Sequence, residues 1–317
     1  MELNEKYKQG IDCTIVILSY NTKDVTFECL KRVEISRQYF SRKLQKKADI
    51  VVVENGSKDG SLEMIKENYP EVKLIALEKN VGYPRGNNLA MEKVTSPYIL
   101  LINSDTYLKE ETLAQAYEYM EENLACDVLS ARLVYLDGSF QAFSGFLPTP
   151  FRSIRWSFLI ESIPVINKLI KPLYQYDKSF YKEEKQFDWV TTGFFFMRKK
   201  VYEVTGGFDE RLFLYMEDVE WCQRIKEKGF KIFYLPSLVV IHLGGFSAKK
   251  LPSEELLRRH VEGVRHFHSV HYPKTLDLVM FCFKIGMIIR AIAYTIIIDL
   301  AKARIYWSVV FSGKKRI

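Results

Sequence analysis

This 317-residue chain lacks the signatures of several large protein classes. Its five cysteines (Cys13, Cys29, Cys126, Cys222 and Cys282) form no CxxC pair and no metal-ligand spacing, which argues for reduced thiols in the cytoplasm. The stretch Met1 to Asp12 is polar, without the apolar core of a signal peptide. Neither GxGxxG nor GxxxxGK[ST] occurs, which disfavours a nicotinamide-dependent enzyme. The most apolar stretch, Leu276 to Phe311, is interrupted by Lys284, Arg290, Asp299, Lys302 and Arg304, so no run reaches the roughly 20 uncharged residues of a spanning helix. The body of the chain also lacks net positive charge. Residues 246 to 317 carry 13 Lys/Arg against 5 Asp/Glu, so of the net +7 the tail holds +8 and residues 1 to 245 hold −1. Because the tail's basic residues are interleaved with aliphatic runs and no nucleic-acid-binding module is recognisable, that charge points to an anionic membrane surface rather than to nucleic acid.

What is present is a chain that can bury a full core. With 48% hydrophobic and 14% aromatic residues, one large domain, or one with a small appendage, is expected. Tyr98 to Thr106 organises the reading. Ile99 to Ile102 is an unbroken apolar run, the pattern of a strand buried on both faces, and it stops at Asn103-Ser104-Asp105. In open α/β sheets that carboxyl edge is where ligands bind, although Asp also serves turns and helix caps.

Three earlier runs repeat the pattern. Cys13 to Leu18 ends at Ser19-Tyr20-Asn21, Ile50 to Val53 ends at Glu54-Asn55, and Val72 to Leu77 is followed by Asn80 to Asn88, with helical stretches between them. Strands alternating with helices predict right-handed crossovers and a mainly parallel sheet with all four polar ends on one rim. The remainder reads as mixed. Asp137-Gly138 between Val128–Tyr135 and Ser139–Phe143 signals a hairpin. Pro148 to Phe187 is a long aromatic and basic insertion, either a lid or a partly disordered segment. Trp189 to Met197 predicts a strand, and Gly206 to Glu210 a turn. Glu217-Asp218 opens a helix to Lys228 with Gly229 as its cap, and Lys231–Tyr234 and Val239–His242 read as two short strands.

The ordered set Ser19-Tyr20-Asn21, Glu54-Asn55, Asn80 to Asn88, Asn103-Ser104-Asp105, Gly206 to Glu210, Glu217-Asp218 and His242 resembles the family 2 glycosyltransferases over about residues 11 to 270. Within them it is most similar to the rhamnosyltransferase-like branch that builds bacterial surface polysaccharides. The resemblance implies an α/β GT-A fold, a Rossmann-like mixed sheet flanked by helices. It also implies transfer of a sugar from a nucleoside diphosphate donor, with inversion at the anomeric carbon. The expected division is a catalytic domain over 1–245, with a nucleotide-sugar half of about 11–106 and an acceptor half of about 107–245, and a helical region over 246–317.

The resemblance also assigns roles. The family's Asp-x-Asp metal motif has Asn103 at its first position here, leaving Asp105 as the charged ligand for Mg²⁺ or Mn²⁺, with donor phosphates, waters and another side chain completing the shell. His242 is the candidate for that side chain; a hydrogen-bonded structural role is the alternative. Asp218 is the expected base for the acceptor hydroxyl, with Glu217 orienting it, although both acids also suit a helix start. Ser19, Tyr20, Asn21, Glu54, Asn55, Gly82, Arg85, Asn87, Asn103 and Ser104 are the expected nucleotide-sugar contacts, together with Asp105. Tyr20 would stack on base or ribose, Glu54 would accept a uracil or thymine imide, and Arg85 would meet the diphosphate or the base.

The tail divides in two. Glu254 to His271 reads as a solvated basic helix carrying Arg258, Arg259, Arg265 and four histidines, in a region where the family often has Arg near the site. Leu276 to Phe311 reads as a helix lying in the cytoplasmic membrane interface, helped by Lys314-Lys315-Arg316, or else packed on the domain or on a second subunit. The expectation is therefore a cytoplasmic protein, peripheral on the inner face of the membrane through residues 275–317. Its expected partners are a UDP- or dTDP-sugar, a glycan or polyprenyl-linked acceptor and a second copy in a homodimer. A catalytically inactive scaffold of the same fold is the rival reading.

Overall fold

The β-branched runs of the first third do form the strands of a parallel unit. In the computed structural model, which describes residues 10–163, 170–246 and 251–311, that unit comprises β1 (Cys13–Ser19), α1 (Lys23–Leu44), β2 (Ala48–Glu54), α2 (Ser61–Asn68), β3 (Lys73–Ala76), α3 (Tyr83–Met91) and β4 (Tyr98–Asn103). There follow β5 (Thr106–Tyr107), α4 (Thr112–Glu122), β6 (Val128–Val134), β7 (Ser144–Gly145), α5 (Pro150–Ser157), β8 (Lys185–Phe187), β9 (Trp189–Val190) and β10 (Phe195–Arg198). The chain ends in α6 (Lys199–Thr205), α7 (Glu217–Glu227), β11 (Ile232–His242), α8 (Ser253–His271), α9 (Leu276–Ile296) and α10 (Leu300–Phe311).

The main sheet has the order β3-β2-β1-β4-β10-β6-β11-β5, with β8 paired to β11. β1 pairs in parallel with both β2 and β4, and the register sets Ser19 beside Glu54 and Leu18 beside Asn103, so the polar ends do share one rim. β10 runs antiparallel between β4 and β6, which makes the sheet mixed. β1 and β4 are buried along almost their whole length, because helices cover both faces and leave no solvated side for alternation.

Several expectations change. The Asp137-Gly138 turn forms, closed by Tyr135 N donating to Ser139 O at 2.8 Å, but the second arm is reduced to one bridge between Val134 and Phe140. The two short strands near the end of the domain are one, β11, whose pairing with β6 shifts register between Leu235 and Val239. That irregularity accommodates Pro236, which has no N–H to give to a ladder. The aromatic insertion carries a helix, α5, whose N-cap Thr149 accepts from Arg152 N and whose Pro150 suits the first turn; residues 164–169 of the insertion lie outside the described set.

The tail is corrected most. α8 is anchored rather than solvated: Gly263, Val264, Phe267 and His268 face the body, and three histidines tie it down. His268 Nε2 meets Ser153 Oγ at 2.8 Å, His266 Nε2 meets Asp209 Oδ2 at 2.8 Å, and His271 Nε2 meets Glu220 Oε1 at 3.3 Å. The apolar stretch is two helices, not one. It breaks at Ile297–Asp299, where Ile298 takes a left-handed φ of 61°, and α10 folds back on α9 so that Tyr294 and Tyr306 stack at 5.5 Å. Val279, Phe283 and Met287 of α9 are buried, and Gly286 lets the helix approach α5 so closely that an added Cβ would lie 2.3 Å from Ser157 O. Arg290 is buried there too. It donates to Ser157 O at 2.5 Å and Trp156 O at 3.1 Å, satisfying carbonyls at the C-terminus of α5. No helix among the described residues is long and apolar enough to cross a membrane.

Candidate active site

A cleft of about 530 Å³ opens at the carboxyl ends of β1 and β4. β1 lies between β2 and β4, so successive connections leave it in opposite directions, and such a reversal point opens a crevice above the sheet. From the first half of the chain Tyr20, Asn55, Asn103, Ser104 and Asp105 line the cleft. From the second half Thr191, Thr192, Glu217, Asp218, His242 and Arg259 face them.

Pairing of β5 with the end of β11 sets Thr106 opposite His242, and Leu243 N donates to Asp105 O at 2.9 Å, so sheet geometry brings Asp105 and His242 together. His242 Nε2 stands 3.3 Å from Asp105 Oδ1 and 3.1 Å from the Asn103 amide nitrogen, while Nδ1 meets Gln141 Oε1 at 2.7 Å. Because the Gln141 oxygen is an acceptor, the proton sits on Nδ1 and Nε2 is left with a lone pair facing the cleft. Asn103 Oδ1 accepts from Tyr83 Oη at 2.8 Å, and Tyr83 also bonds Thr192 at 2.7 Å. Burial pushes the Asp105 carboxyl up, but His242, when protonated on both ring nitrogens, and the Phe246 amide outweigh it and hold the group below its ordinary value.

The two acids at the start of α7 enter on a strained approach. Tyr215 and Met216 both take left-handed φ, 70° and 69°, conformations that non-glycine residues adopt at a cost of order 1–3 kcal/mol each. Gly263 of α8 makes room for them, since an added Cβ would lie 2.8 Å from Tyr215 O. Burial raises both acids. Asp218 is stabilised as an anion by the Val219 amide at 2.8 Å and by Thr191, whereas Glu217 has an oxygen, Oε2, with no hydrogen-bond partner among the described residues and the Asp218 charge beside it. Asp218 is therefore the acid that ionises first, and Glu217 keeps its proton longer.

A second cavity, of about 670 Å³, shares Thr191, Tyr215, Asp218 and His242 with the cleft. Its remaining wall comes from Gln141, Tyr174 and Trp189 of the central region and from Leu256, Tyr294 and Tyr306 of the tail helices. Asp218 thus stands where two compartments meet.

Residues 14–205 match the family described as glycosyl transferase family 2, which covers more than half of the chain. The chain belongs to that family. It is 22% identical over 227 residues to an N-acetylglucosaminyl-diphospho-decaprenol L-rhamnosyltransferase of Mycobacterium tuberculosis, covering 68% of this chain and 73% of that one. It is also 22% identical over 235 residues to rhamnosyltransferase WbbL of Escherichia coli, covering 72% and 82%. The mannosyltransferase PcManGT from Pyrobaculum calidifontis, solved in complex with GDP-Man and Mn²⁺, superposes with a TM-score of 0.53 at 14% identity, covering 97% of this chain and 89% of that one. This family 2 glycosyltransferase, of the rhamnosyltransferase-like branch, has the GT-A-like mixed sheet flanked by helices.

Within the glycosyltransferase, eight of the residues singled out from sequence line the cleft together: Tyr20, Asn55, Asn103, Ser104, Asp105, Glu217, Asp218 and His242. The others stand off its lining. Ser19 is buried beneath the rim, its hydroxyl 2.9 Å from Thr26. Asn21 Oδ1 accepts the Lys58 amide at 2.8 Å, and Glu54 is buried with its carboxylate on the Gly56 and Ser57 amides, where it holds the turn. Gly82 supplies a φ of 90° against the Phe213 backbone. Arg85 points outward to Glu210 at 3.3 Å, and Asn87 is buried against Tyr83 O at 2.9 Å. Arg259, over the Phe213 ring at 4.5 Å, is the cleft's arginine instead. Thr191, Thr192, Tyr83 and Gln141 were missed, having no local pattern to betray them.

Proposed function

We propose that this enzyme transfers a sugar, with inversion, from a UDP- or dTDP-sugar in the cleft to a glycan or polyprenyl-linked acceptor in cell-surface polysaccharide synthesis. The observation that carries the reading is Asp218 at the junction of two compartments, one for each substrate. The rhamnosyltransferases among its relatives support rhamnose as the donor sugar. The division follows much the same line: residues of about 11–106 supply most of the nucleotide-sugar contacts and about 107–245 the acceptor side, with His242 and Arg259 reaching across to the donor, and 246–317 meets the membrane.

In this mechanism Asp218 takes the proton of the acceptor hydroxyl as its oxygen attacks the anomeric carbon. The new C–O bond forms as the bond to the diphosphate breaks, and the nucleoside diphosphate leaves with the electron pair. Thr191 and the Val219 amide hold the carboxylate, and Glu217 beside it orients the approach. Tyr20 and Asn55 receive the nucleoside, and Ser104 and Arg259 the ribose and phosphates. Asp105 and Nε2 of His242 fit a divalent cation: a carboxylate and a lone-pair nitrogen face each other, with the His242 ring fixed by Gln141. No group of three or more such side chains suits a metal among the described residues, so donor phosphates would complete the shell. Bound there, Mg²⁺ or Mn²⁺ supplies Lewis-acid stabilisation of the leaving diphosphate.

The exposed Leu278, Phe281, Ile289 and Ile292 on α9, with the exposed Lys284 on the same helix, support a peripheral site on the inner face of the membrane. Substituting Ile296→Asp with Ile298→Asp should release the protein from anionic vesicles; unchanged pelleting would remove the membrane reading. Sedimentation tests the expected homodimer. The function itself is tested by thermal stabilisation with UDP-, dTDP- and GDP-sugars, each with and without Mn²⁺ or Mg²⁺. A metal-dependent shift confined to UDP or dTDP compounds and lost in Asp105→Ala is expected. No shift with any of them would favour the inactive scaffold.

A further inference from the structure

One row of hydrogen bonds crosses the partition between the two compartments. Of the two, Asn103 lines the donor cleft alone, Gln141 lines the second cavity alone, and His242 lines both. The α9–α10 hairpin adds Tyr294, Lys302 and Tyr306 to the same second cavity. Every bond in the row points the same way: Tyr83 Oη donates to Asn103 Oδ1 at 2.8 Å, the Asn103 amide nitrogen to His242 Nε2 at 3.1 Å, and His242 Nδ1 to Gln141 Oε1 at 2.7 Å. The row ends in a donor that is not used. Gln141 is 7% exposed and its backbone N is pinned to Leu133 O at 3.1 Å, yet its side-chain nitrogen, Nε2, with two N–H groups, makes no hydrogen bond among the described residues. Nor is Nε2 sealed off, as the unpartnered Nε1 of Trp189 in the same cavity is. Gly244, at a φ of 82°, leaves it space, since an added Cβ there would lie 2.8 Å from Nε2.

We infer that Gln141 is a positioning residue for both substrates: its oxygen sets His242 for the donor side, its free Nε2 donates to an oxygen of the acceptor sugar, and filling one compartment thereby tightens binding in the other. This rests on the assignment of one substrate to each compartment, and deepens it by naming the side chain that joins them. An amide that donates from its nitrogen gathers negative charge on its oxygen, and hydrogen bonds in a row polarise one another. An acceptor oxygen on Nε2 of Gln141 therefore strengthens the bond from Nδ1 of His242 and makes the imidazole Nε2 more basic, at the atom that faces the proposed cation. By linkage the effect is reciprocal, so the donor side tightens the acceptor by the same factor. A glutamate at this position would keep the bond to Nδ1 and lose the donor.

The test titrates the full chain with UDP or dTDP in the presence of Mn²⁺, with and without the methyl pyranosides of D-glucose, D-galactose, N-acetyl-D-glucosamine and L-rhamnose. Heteronuclear NMR follows the Gln141 side-chain amide, recognised as the signal missing from Gln141→Met and Gln141→Glu. At least one pyranoside should shift that amide and lower the nucleotide dissociation constant by about fivefold, the lower end of coupling between two sites. In Gln141→Glu the nucleotide and Mn²⁺ should still bind while the pyranoside is weakened and the coupling disappears; in Gln141→Met the nucleotide should weaken as well. A glutamine that merely supports the fold would leave the two variants alike. The coupling is measured on the unmodified chain, so it stands whether or not a variant folds well. A pyranoside that binds without moving the Gln141 amide overturns the inference, as does an unchanged nucleotide affinity or the failure of every pyranoside to bind. Nucleotide binding with no pyranoside response sinks only this inference; no nucleotide binding sinks the proposed function and the coupling with it.

Discussion

Asn103 and His242 are 139 residues apart in the chain and meet side chain to side chain, the amide nitrogen of one 3.1 Å from Nε2 of the other. Asn103 is thereby committed on both sides, taking the Tyr83 hydroxyl on its oxygen. An asparagine here does what a second acid would not: it donates to the imidazole lone pair, the place that the proposed cation would take.

Asn103→Asp should consequently tighten Mn²⁺ binding by on the order of tenfold, because a second carboxylate joins Asp105. Titration of the protein with Mn²⁺, read by electron paramagnetic resonance, checks this. Equal affinities would mean that position 103 does not face the ion.

Asp218→Asn should lower kcat by roughly 10² to 10⁴, the range of general-base catalysis, while the donor-induced thermal shift persists. In the unmodified enzyme, burial raises the carboxyl, so transfer should fall as pH drops through a value above the ordinary carboxylate range. A pH profile of kcat/KM flat down to pH 4 would contradict this.

Glu217→Gln should change stability in a pH-dependent way. Burial first, and the Asp218 charge second, raise the folded-state pKa of Glu217. Its protonated form therefore contributes stability that is complete at low pH and is lost as pH rises through the raised value. Glutamine carries no such loss, so the melting temperature of the variant relative to the parent should climb between pH 5 and 9. Scanning calorimetry at three pH values measures it; parallel curves would count against a buried, raised carboxyl.

Arg290→Ala should cost about 3 kcal/mol, since two carbonyls at the end of α5 lose their donor and the Trp156 ring loses the guanidinium packed on it. Denaturant unfolding gives the value. A change below about 0.5 kcal/mol, the size of an ordinary surface substitution, would show that the hairpin is not fastened through this side chain.

Sequence made the first half of the sheet and its rim legible. Unbroken runs such as Ile99 to Ile102 have few ways to be buried, and parallel strands align their polar ends without further information. Asp105 and Asp218 were visible because each follows or opens an element. What escaped depended on contacts across the chain. Thr191 and Gln141 acquire their places only once β10 and β11 are laid beside β4 and β6. Nor did sequence reveal that the Glu54 carboxylate holds its own turn, through the amides of Gly56 and Ser57. The fold-back of the tail was hidden because its turn falls on Ile298, an isoleucine in a conformation that sequence patterns assign to glycine or asparagine. The solvated reading of α8 failed for a related reason: His266 and His271 found acids, and His268 a serine, on other elements.

Two compartments that share the Asp218 carboxylate draw the rest of their walls from different parts of the chain. On the proposed assignment of one substrate to each, a spent nucleotide leaves one compartment while the lengthened glycan is still seated in the other, and a fresh donor can load behind it. Kinetically, this arrangement imposes no fixed order of departure. The nucleoside diphosphate should compete with the donor and not with the acceptor, and a chain able to accept twice need not dissociate between additions.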